Sequence, residues 1–262
     1  MRGTQLSFAG LDIKKEASLQ DFYAPSFTPI LSSVYEVLYG SVRELFLSGE
    51  SGTGKTHLLS AIYKQYLTTN NMAILLSVGE VLDDANALSG LEMFSLILLD
   101  DIHLIGGRAD WQEALFHLIN RARVNDCKLI YTANVPAQAL DLQLLDLTTR
   151  LAQALQFALP NGAHLADRQA VLDAILKQKG WQLPDSIKSY FVEEGPHLPA
   201  DMVKVLSAIT PYFKYKGRRL PQKLFDDIKK AIQTQSLLME IADINFASDN
   251  HQPALPFEGH ND

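Results

Sequence analysis

Apolar residues change their spacing along this chain, and each change marks an element. Ile30, Leu31, Val34, Val37 and Leu38 recur at helical intervals within 27–39. Residues 42–47 open on Arg43-Glu44 and close on Leu45-Phe46-Leu47, apolar on both faces, as in a strand buried inside a parallel sheet. A helical run follows over 57–66. Residues 72–77, 95–101, 128–132 and 153–159 read as further strands, the last with Leu155, Phe157 and Leu159 alternating. Ala109–Val124 reads as a helix with Trp111, Leu115, Leu118 and Ile119 on one face and Asp110 near its start, where a carboxylate complements the helix dipole. Residues 78–94 carry no clear period and a turn at Ser89-Gly90. Pro160-Asn161-Gly162 is a break. Beyond it the chain offers no strand pattern, only four helical runs over 165–177, 185–193, 200–213 and 220–235.

Strands that alternate with helices predict an α/β fold with a parallel sheet, followed by a small all-α domain. The expected layout is a flexible segment over 1–20, a core over 21–160, a helical lid over 161–240 and a disordered polar tail over 241–262. The 262 residues are 47% hydrophobic, enough for a substantial core. A net charge of −7 argues against nonspecific coating of DNA, which relies on many Lys and Arg contacts to phosphate. The single cysteine, Cys127, excludes an internal disulfide and fits a reducing compartment; its setting at the start of a strand suggests a buried thiol. The first 16 residues lack a signal-peptide core, and no apolar run approaches the roughly 18 residues of a membrane span. A cytoplasmic, soluble protein without membrane contacts is expected.

The strongest chemistry lies between the first strand and the helix after it. Gly49-Glu50-Ser51-Gly52-Thr53-Gly54-Lys55-Thr56 is a complete G-x-x-x-x-G-K-T phosphate loop, or Walker A motif. Gly52 and Gly54 permit backbone conformations that aim successive N–H groups at an anion, with Ser51 and Thr53 inside the cradle. The helix that follows adds the positive end of its dipole. Lys55 reaches the outer phosphates, and the Thr56 hydroxyl is a ligand for Mg²⁺. Asp100 and Asp101, at the end of an apolar strand, fit the Walker B role: one carboxylate holds Mg²⁺ through water, the other polarises an attacking water. Which acid does which is open. Asn134 ends the next strand, where it either orients a water near the γ-phosphate or closes a turn before Val135-Pro136. Arg150 alone reads as a surface ion-pairing residue.

Three stretches together resemble a known family. Gly49–Thr56 continued by His57-Leu58-Leu59, Leu98-Leu99-Asp100-Asp101-Ile102-His103, and Trp111-Gln112-Glu113-Ala114-Leu115-Phe116-His117-Leu118-Ile119-Asn120-Arg121 resemble the DnaA branch of the AAA+ ATPases, and within it the Hda type. The resemblance runs from about Asp21 to Gln235. It implies an AAA+ core with an α-helical lid, bound ADP or ATP with Mg²⁺, and His57 beside the nucleotide. Asp21-Phe22-Tyr23-Ala24-Pro25 is similar to the lead-in segment that packs near the adenine, which implicates Phe22 and Tyr23. Leu145-Asp146-Leu147-Thr148-Thr149-Arg150-Leu151 resembles the arginine-finger motif, which implies that Arg150 acts in trans on ATP bound to DnaA. The Hda-type layout, a core plus lid, further implies docking on the DNA polymerase III sliding clamp (β subunit), contact with DNA through that clamp, and negative regulation of replication initiation. Self-association, nucleotide preference and turnover of its own ATP stay open. One departure bears on turnover: Val203 stands where the lid's sensor arginine is expected, with Lys204 beside it. A helicase loader or transposition helper, or a nucleotide-sensing module that never hydrolyses, are the competing readings.

Clamp-binding proteins carry short Q-x-x-L-x-F peptides. Gln252-Pro253-Ala254-Leu255-Pro256-Phe257 has that form: Gln252 supplies amide hydrogen bonds, Leu255 and Phe257 fill an apolar groove, and the prolines favour the extended state. Gln5-Leu6-Ser7-Phe8 has the family's position but a weaker pattern, with Gly10 where a second anchor is wanted. Lys214, Lys216, Arg218, Arg219 and Lys223 form a basic cluster, either a solvated connector or a contact for DNA or DnaA.

Overall fold

The computed structural model describes residues 16–210 and 222–249, with side chains described as far as 237. It divides into two compact units. The first takes in the chain up to Trp181 together with His197–Ala200; the second takes in Gln182–Pro196 and the chain from Asp201 on.

The first unit is built on a five-stranded parallel sheet: β1 (Glu44–Ser48), β2 (Ala73–Ser77), β3 (Leu96–Asp100), β4 (Lys128–Ala133) and β5 (Leu155–Ala158), in the order β2-β3-β4-β1-β5. The alternation along each strand sorts its side chains onto two faces. Leu45, Leu47, Leu96, Leu98 and Ile130 join one core with α1 (Thr28–Tyr39) and α2 (Lys55–Leu67). Phe46, Ile97, Leu99, Leu129 and Tyr131 join the other with α3 (Ala109–Val124) and α4 (Leu145–Ala152). Both faces are covered, which is why these strands read as continuous apolar runs. β5 is an edge strand, with Leu155 and Ala158 exposed.

Residues 78–94 form three short 3-10 turns, Val78–Glu80, Ala85–Leu88 and Leu91–Met93. They bury Val78, Leu88 and Leu91 against the α3 side of the sheet. Fully buried Trp111 fastens them by donating from Nε1 to the Leu82 carbonyl at 2.9 Å. At the far end of α3, Arg123 pairs with Glu44 bidentately through Nε and Nη2, tying the helix to the start of β1. Cys127 is buried, and burial pushes its thiol up to about 12.

Three expectations change. Residues 16–20 are packed: Ala17 and Leu19 are buried, and Ser18 and Asp21 form a reciprocal capping box around the turn Leu19–Phe22. The division between units falls at Trp181, so α5 (Leu165–Lys179) belongs with the sheet, against that N-terminal turn. In the second unit, α8 (Gln222–Asp249) runs through residues 241–249, expected as tail. The other helices are α6 (Asp185–Glu194) and α7 (Pro199–Ile209), whose first two residues belong to the first unit. Ile187, Phe191, Met202, Val205, Leu206 and Ile232 are buried in the second unit. Among the described residues no helix is long and apolar enough to cross a membrane.

Replacing Trp111 by Phe should keep the apolar packing but leave the Leu82 carbonyl without its donor. A loss of about 1–3 kcal/mol is expected in urea unfolding, together with faster limited proteolysis inside 78–94. Unchanged cleavage there would show that the indole bond does not hold this segment.

Candidate functional site: a phosphate loop facing a buried acid pair

β1 ends between two neighbours that hold it on both sides. The Gly49 amide donates to the Ala133 carbonyl at 3.1 Å, and the Leu159 amide donates to Ser48 at 2.7 Å. From this fixed point the chain turns through Gly52 (φ 88°) and Gly54 (φ 97°), a region that side chains disfavour. Thr53 Oγ1 closes the turn onto the Glu50 carbonyl at 2.8 Å. A side chain at Gly49 would stand 2.8 Å from that hydroxyl. α2 then starts at Lys55 with no side-chain cap, so its first amides are free to bind an anion. Lys55 is 7% exposed and donates to the carbonyls of Gly49 at 2.6 Å and Glu50 at 3.0 Å. Burial lowers its pKa, opposed by Asp101 and Asp100. Ser51 is exposed at the loop tip, and Thr56 is half-buried on the first turn of α2.

The acid pair lies on the same sheet edge, with β4 between β3 and β1. Asp100 is buried at the end of β3, and its Oδ1 accepts a hydrogen bond from the Thr132 hydroxyl. The same hydroxyl oxygen accepts from the Asp101 amide at 3.0 Å. Thr132 thus grips both acids, one by side chain and one by backbone. Asp101 takes a left-handed conformation (φ 57°, ψ 42°). Burial raises its pKa, with the Asp100 charge adding to the effect. His103 Nδ1 stands 3.9 Å from Asp101 Oδ1, and burial lowers the histidine's pKa, opposed by Asp101. Asn134 is exposed just past the end of β4, on this same edge. Thr132 was absent from the sequence reading; its only signal is a hydroxyl on an otherwise apolar strand. Among the described residues no group of three or more His, Cys, Asp or Glu is placed to hold a metal.

On the other side of the loop is the lead-in segment. Phe22 is buried, 3.7 Å from where a Gly54 side chain would begin, and tilts against His57 at 5.6 Å between ring centroids. His57 Nε2 meets Asp21 Oδ2 at 2.8 Å. Tyr23 does not join them: it is 62% exposed, with its hydroxyl 3.5 Å from that of Tyr35. A second pair beside this segment escaped the sequence reading. Asp167 and Arg168 are 2% and 6% exposed on the first turn of α5. Asp167 Oδ1 accepts the Ser26 amide at 3.0 Å, while its Oδ2 and the Nε and Nη1 of Arg168 are buried without partners among the described residues. They line a recess with Phe27, Pro160, Gly162 and His197. Their charges at the start of a helix read locally as a solvated turn. The amide of Ala200 also donates to Gly52, at 3.2 Å.

Arg150 is on α4, where Leu147 and Leu151 are fully buried. It is half-buried, and among the described residues its guanidinium has no hydrogen-bond or ion-pair partner. Arg43, Arg121 and Arg123 of the same unit pair with acids, whereas Arg108 is half-buried and without such a partner among the described residues, like Arg150. In the second unit, Lys204 is engaged by Asp201 at 2.7 Å and Val203 is half-buried. Gln5, Leu6, Phe8, Gln252, Leu255 and Phe257 lie outside the described residues, as do Lys214, Lys216, Arg218 and Arg219.

A phosphate loop on an interior strand of a parallel sheet, facing an acid pair across β4, defines a P-loop protein of the AAA+ class. Residues 32–159 match the family of the bacterial DnaA ATPase domain. An uncharacterized protein of Haemophilus influenzae is 30% identical over 199 residues, covering 74% of this chain and 84% of that one. The chromosomal replication initiator DnaA of Sphingopyxis alaskensis is 28% identical over 204 residues, 70% of this chain; the match spans only 43% of the initiator. A solved replication initiator DnaA, bound to AMPPCP and single-stranded DNA, superposes with a TM-score of 0.68 at 21% identity, covering 95% of this chain and 77% of that one. These matches support placing the chain in the DnaA branch of the AAA+ ATPases.

The strained, partly desolvated Asp101 gives a stability prediction with a definite sign. Its carboxyl titrates higher in the folded than in the unfolded chain. The charged form therefore costs stability once the pH exceeds the unfolded value, and fully so above the folded value. Asp101→Asn should raise Tm at pH 7–8 by roughly 2–4 °C, a common gain for one site in a chain of this size. The gain should shrink as the pH falls through the ordinary carboxylate range; what remains reflects the better tolerance of Asn for the left-handed region. An equal gain at pH 4 and pH 8 would show that the charge carries no penalty.

Proposed function

We propose that this protein is a nucleotide-dependent regulator of replication initiation of the Hda type. In this reading it holds ADP or ATP with Mg²⁺ at the phosphate loop, docks on the DNA sliding clamp, and stimulates hydrolysis of the ATP bound to DnaA. The observation that carries it is Arg150: a half-buried guanidinium on a well-packed helix, without a partner among the described residues. Leaving a partly desolvated cation unpaired is costly for stability alone. It suits a group that meets its anion on another molecule.

The residues present fit the nucleotide. The amides of the loop and of the α2 start converge as an anion cradle. Lys55 exchanges the Gly49 and Glu50 carbonyls for phosphate oxygens. Mg²⁺, once bound with the nucleotide, balances phosphate charge; Thr56 and Asp100 are the residues that would hold it. Phe22 and His57 stand on the base side of the loop, and the unpartnered polar atoms of Asp167 and Arg168 suit the edge of a nucleobase. In this reading the chain's own nucleotide supports its shape, and the chemistry falls on DnaA. There Arg150 stabilises the charge that develops as the γ-phosphoryl group passes to water.

The decisive experiment measures hydrolysis of DnaA-bound ATP with this protein and DNA-loaded clamp. Stimulation is expected, and Arg150→Ala should lower the stimulated rate by about 10³-fold or more. Equal stimulation by Arg150→Ala would sink the reading. ATP turnover by this protein alone, driven by helicase or DNA and indifferent to DnaA, would favour a loader or transposition helper instead.

Docking is tested by clamp pull-down with two double variants, Leu255→Ala/Phe257→Ala and Leu6→Ala/Phe8→Ala. One of them should weaken capture by at least about tenfold, the scale of losing two buried apolar anchors. Full capture by both would eliminate the peptide mode.

A further inference from the structure

We infer that Gln112 is the positioning residue for Arg150, clasping the turn that follows the acid pair to the start of the helix that carries the arginine. This rests on reading Arg150 as a group that acts on a partner's nucleotide.

Gln112 sits on α3 and is 1% exposed. A glutamine side chain has two N–H donors and two acceptor positions, and all four are used. Nε2 donates to the Ile105 carbonyl at 3.2 Å and to Gln143 Oε1 at 2.6 Å. Oε1 accepts the amides of Gln143 at 2.9 Å and Leu144 at 3.1 Å. Three segments meet on one side chain. Ile105 closes the 3-10 turn Ile102–Ile105, which begins directly after Asp101. Gln143 and Leu144 directly precede α4. A second bond joins the same two segments, from the Gly107 amide to the Asp141 carbonyl at 3.3 Å.

α4 depends on this clasp for its direction. It has no side-chain cap of its own. Its first internal bonds run from Leu147 and Thr148 to the Leu144 carbonyl, so the residue gripped by Gln112 is also the one that starts the helix. Arg150 follows six residues on, about 9 Å along the axis at 1.5 Å per residue. A small tilt at Leu144 therefore swings the guanidinium through a larger arc. The same side chain holds the turn beside Asp101, so a shift in that turn reaches α4 through this buried amide and the Gly107–Asp141 bond beside it.

The test uses the full chain with DNA-loaded clamp and DnaA–ATP, comparing Gln112→Met, Gln143→Ala and Arg150→Ala. Met keeps the volume and removes all four bonds. Gln143 is exposed, so its truncation removes one acceptor with little risk to the fold. Gln112→Met should lower the maximal stimulated rate on the order of 10- to 100-fold, the scale of a misplacement of about 1 Å. The half-saturating concentration should stay within about twofold, because docking is untouched. Gln143→Ala should lower the rate about two- to fivefold, as expected for one weakened hydrogen bond. A merely structural glutamine would lower the folded fraction, read by near-UV circular dichroism, and leave the rate per folded molecule unchanged. A folded Gln112→Met that stimulates like wild type, while Arg150→Ala does not, overturns the inference. If Gln112→Met does not fold, an unchanged Gln143→Ala overturns it. If Arg150→Ala itself stimulates normally, the functional reading fails first. The clasp is then judged by amide exchange in Gln143→Ala: faster exchange confined to α4 supports it, and unchanged exchange overturns it.

Discussion

The end of β1 is the point on which the rest of the structure depends. Its last residues bond to β4 on one side and to the end of β5 on the other, so the chain enters the phosphate loop from a position with almost no freedom. An anion cradle made of backbone amides works only if those amides stay aimed; they have no rotamers with which to search. The two positive-φ glycines supply the turn, and β1, paired on both sides, supplies the rigidity. The uncapped start of α2 follows from the same design: a capping side chain would occupy the amides that an anion needs.

Opposite the loop, the chain carries a local electrostatic cost. Two carboxylates lie next to one another at a buried strand end, and one of them sits in a left-handed conformation. Thr132 relieves part of this by donating to Asp100 and accepting from the Asp101 amide. Burial first, and the Asp100 charge second, raise the pKa of Asp101; burial lowers that of His103 against the pull of both carboxylates. Lys55 is on the other side of the balance, desolvated and held by its own loop's carbonyls. Such opposed, incompletely matched charges at one sheet edge suit a site whose balance is completed by phosphate and a cation.

The acid pair and Arg150 are not in direct contact, yet they share a mechanical link. The turn after Asp101 and the segment before α4 both close on Gln112, and α4 takes its direction from that segment. Among the described residues the Arg150 guanidinium has no partner, while Arg43, Arg121 and Arg123 of the same unit are matched to acids. In the proposed reading, a side chain that is aimed but not engaged meets its anion on another molecule.

Much of this was written locally. The phosphate loop, the apolar strands, the amphipathic α3 and the helical C-terminal part follow from spacing alone, because hydrophobic period and glycine placement act over a few residues. The limits of local reading are equally specific. Nothing in the strand patterns says that β4 lies between β1 and β3, since its pairing with β1 joins residues more than 80 positions apart. Thr132 became a site residue only through that order. Ala17 and Leu19 looked like isolated apolar residues in a polar stretch until α5 and the sheet unit covered them. Tyr23 and Phe22, adjacent and chemically alike, parted because one faces the loop and the other faces outward. Asp167, Arg168 and Gln112 read as ordinary polar helix positions; only burial, which depends on what distant segments cover them, made them exceptional. The sequence by itself determined which elements form and that a phosphate site exists. Tertiary structure decided which polar groups are removed from water, and therefore which of them must act on one another or on a ligand.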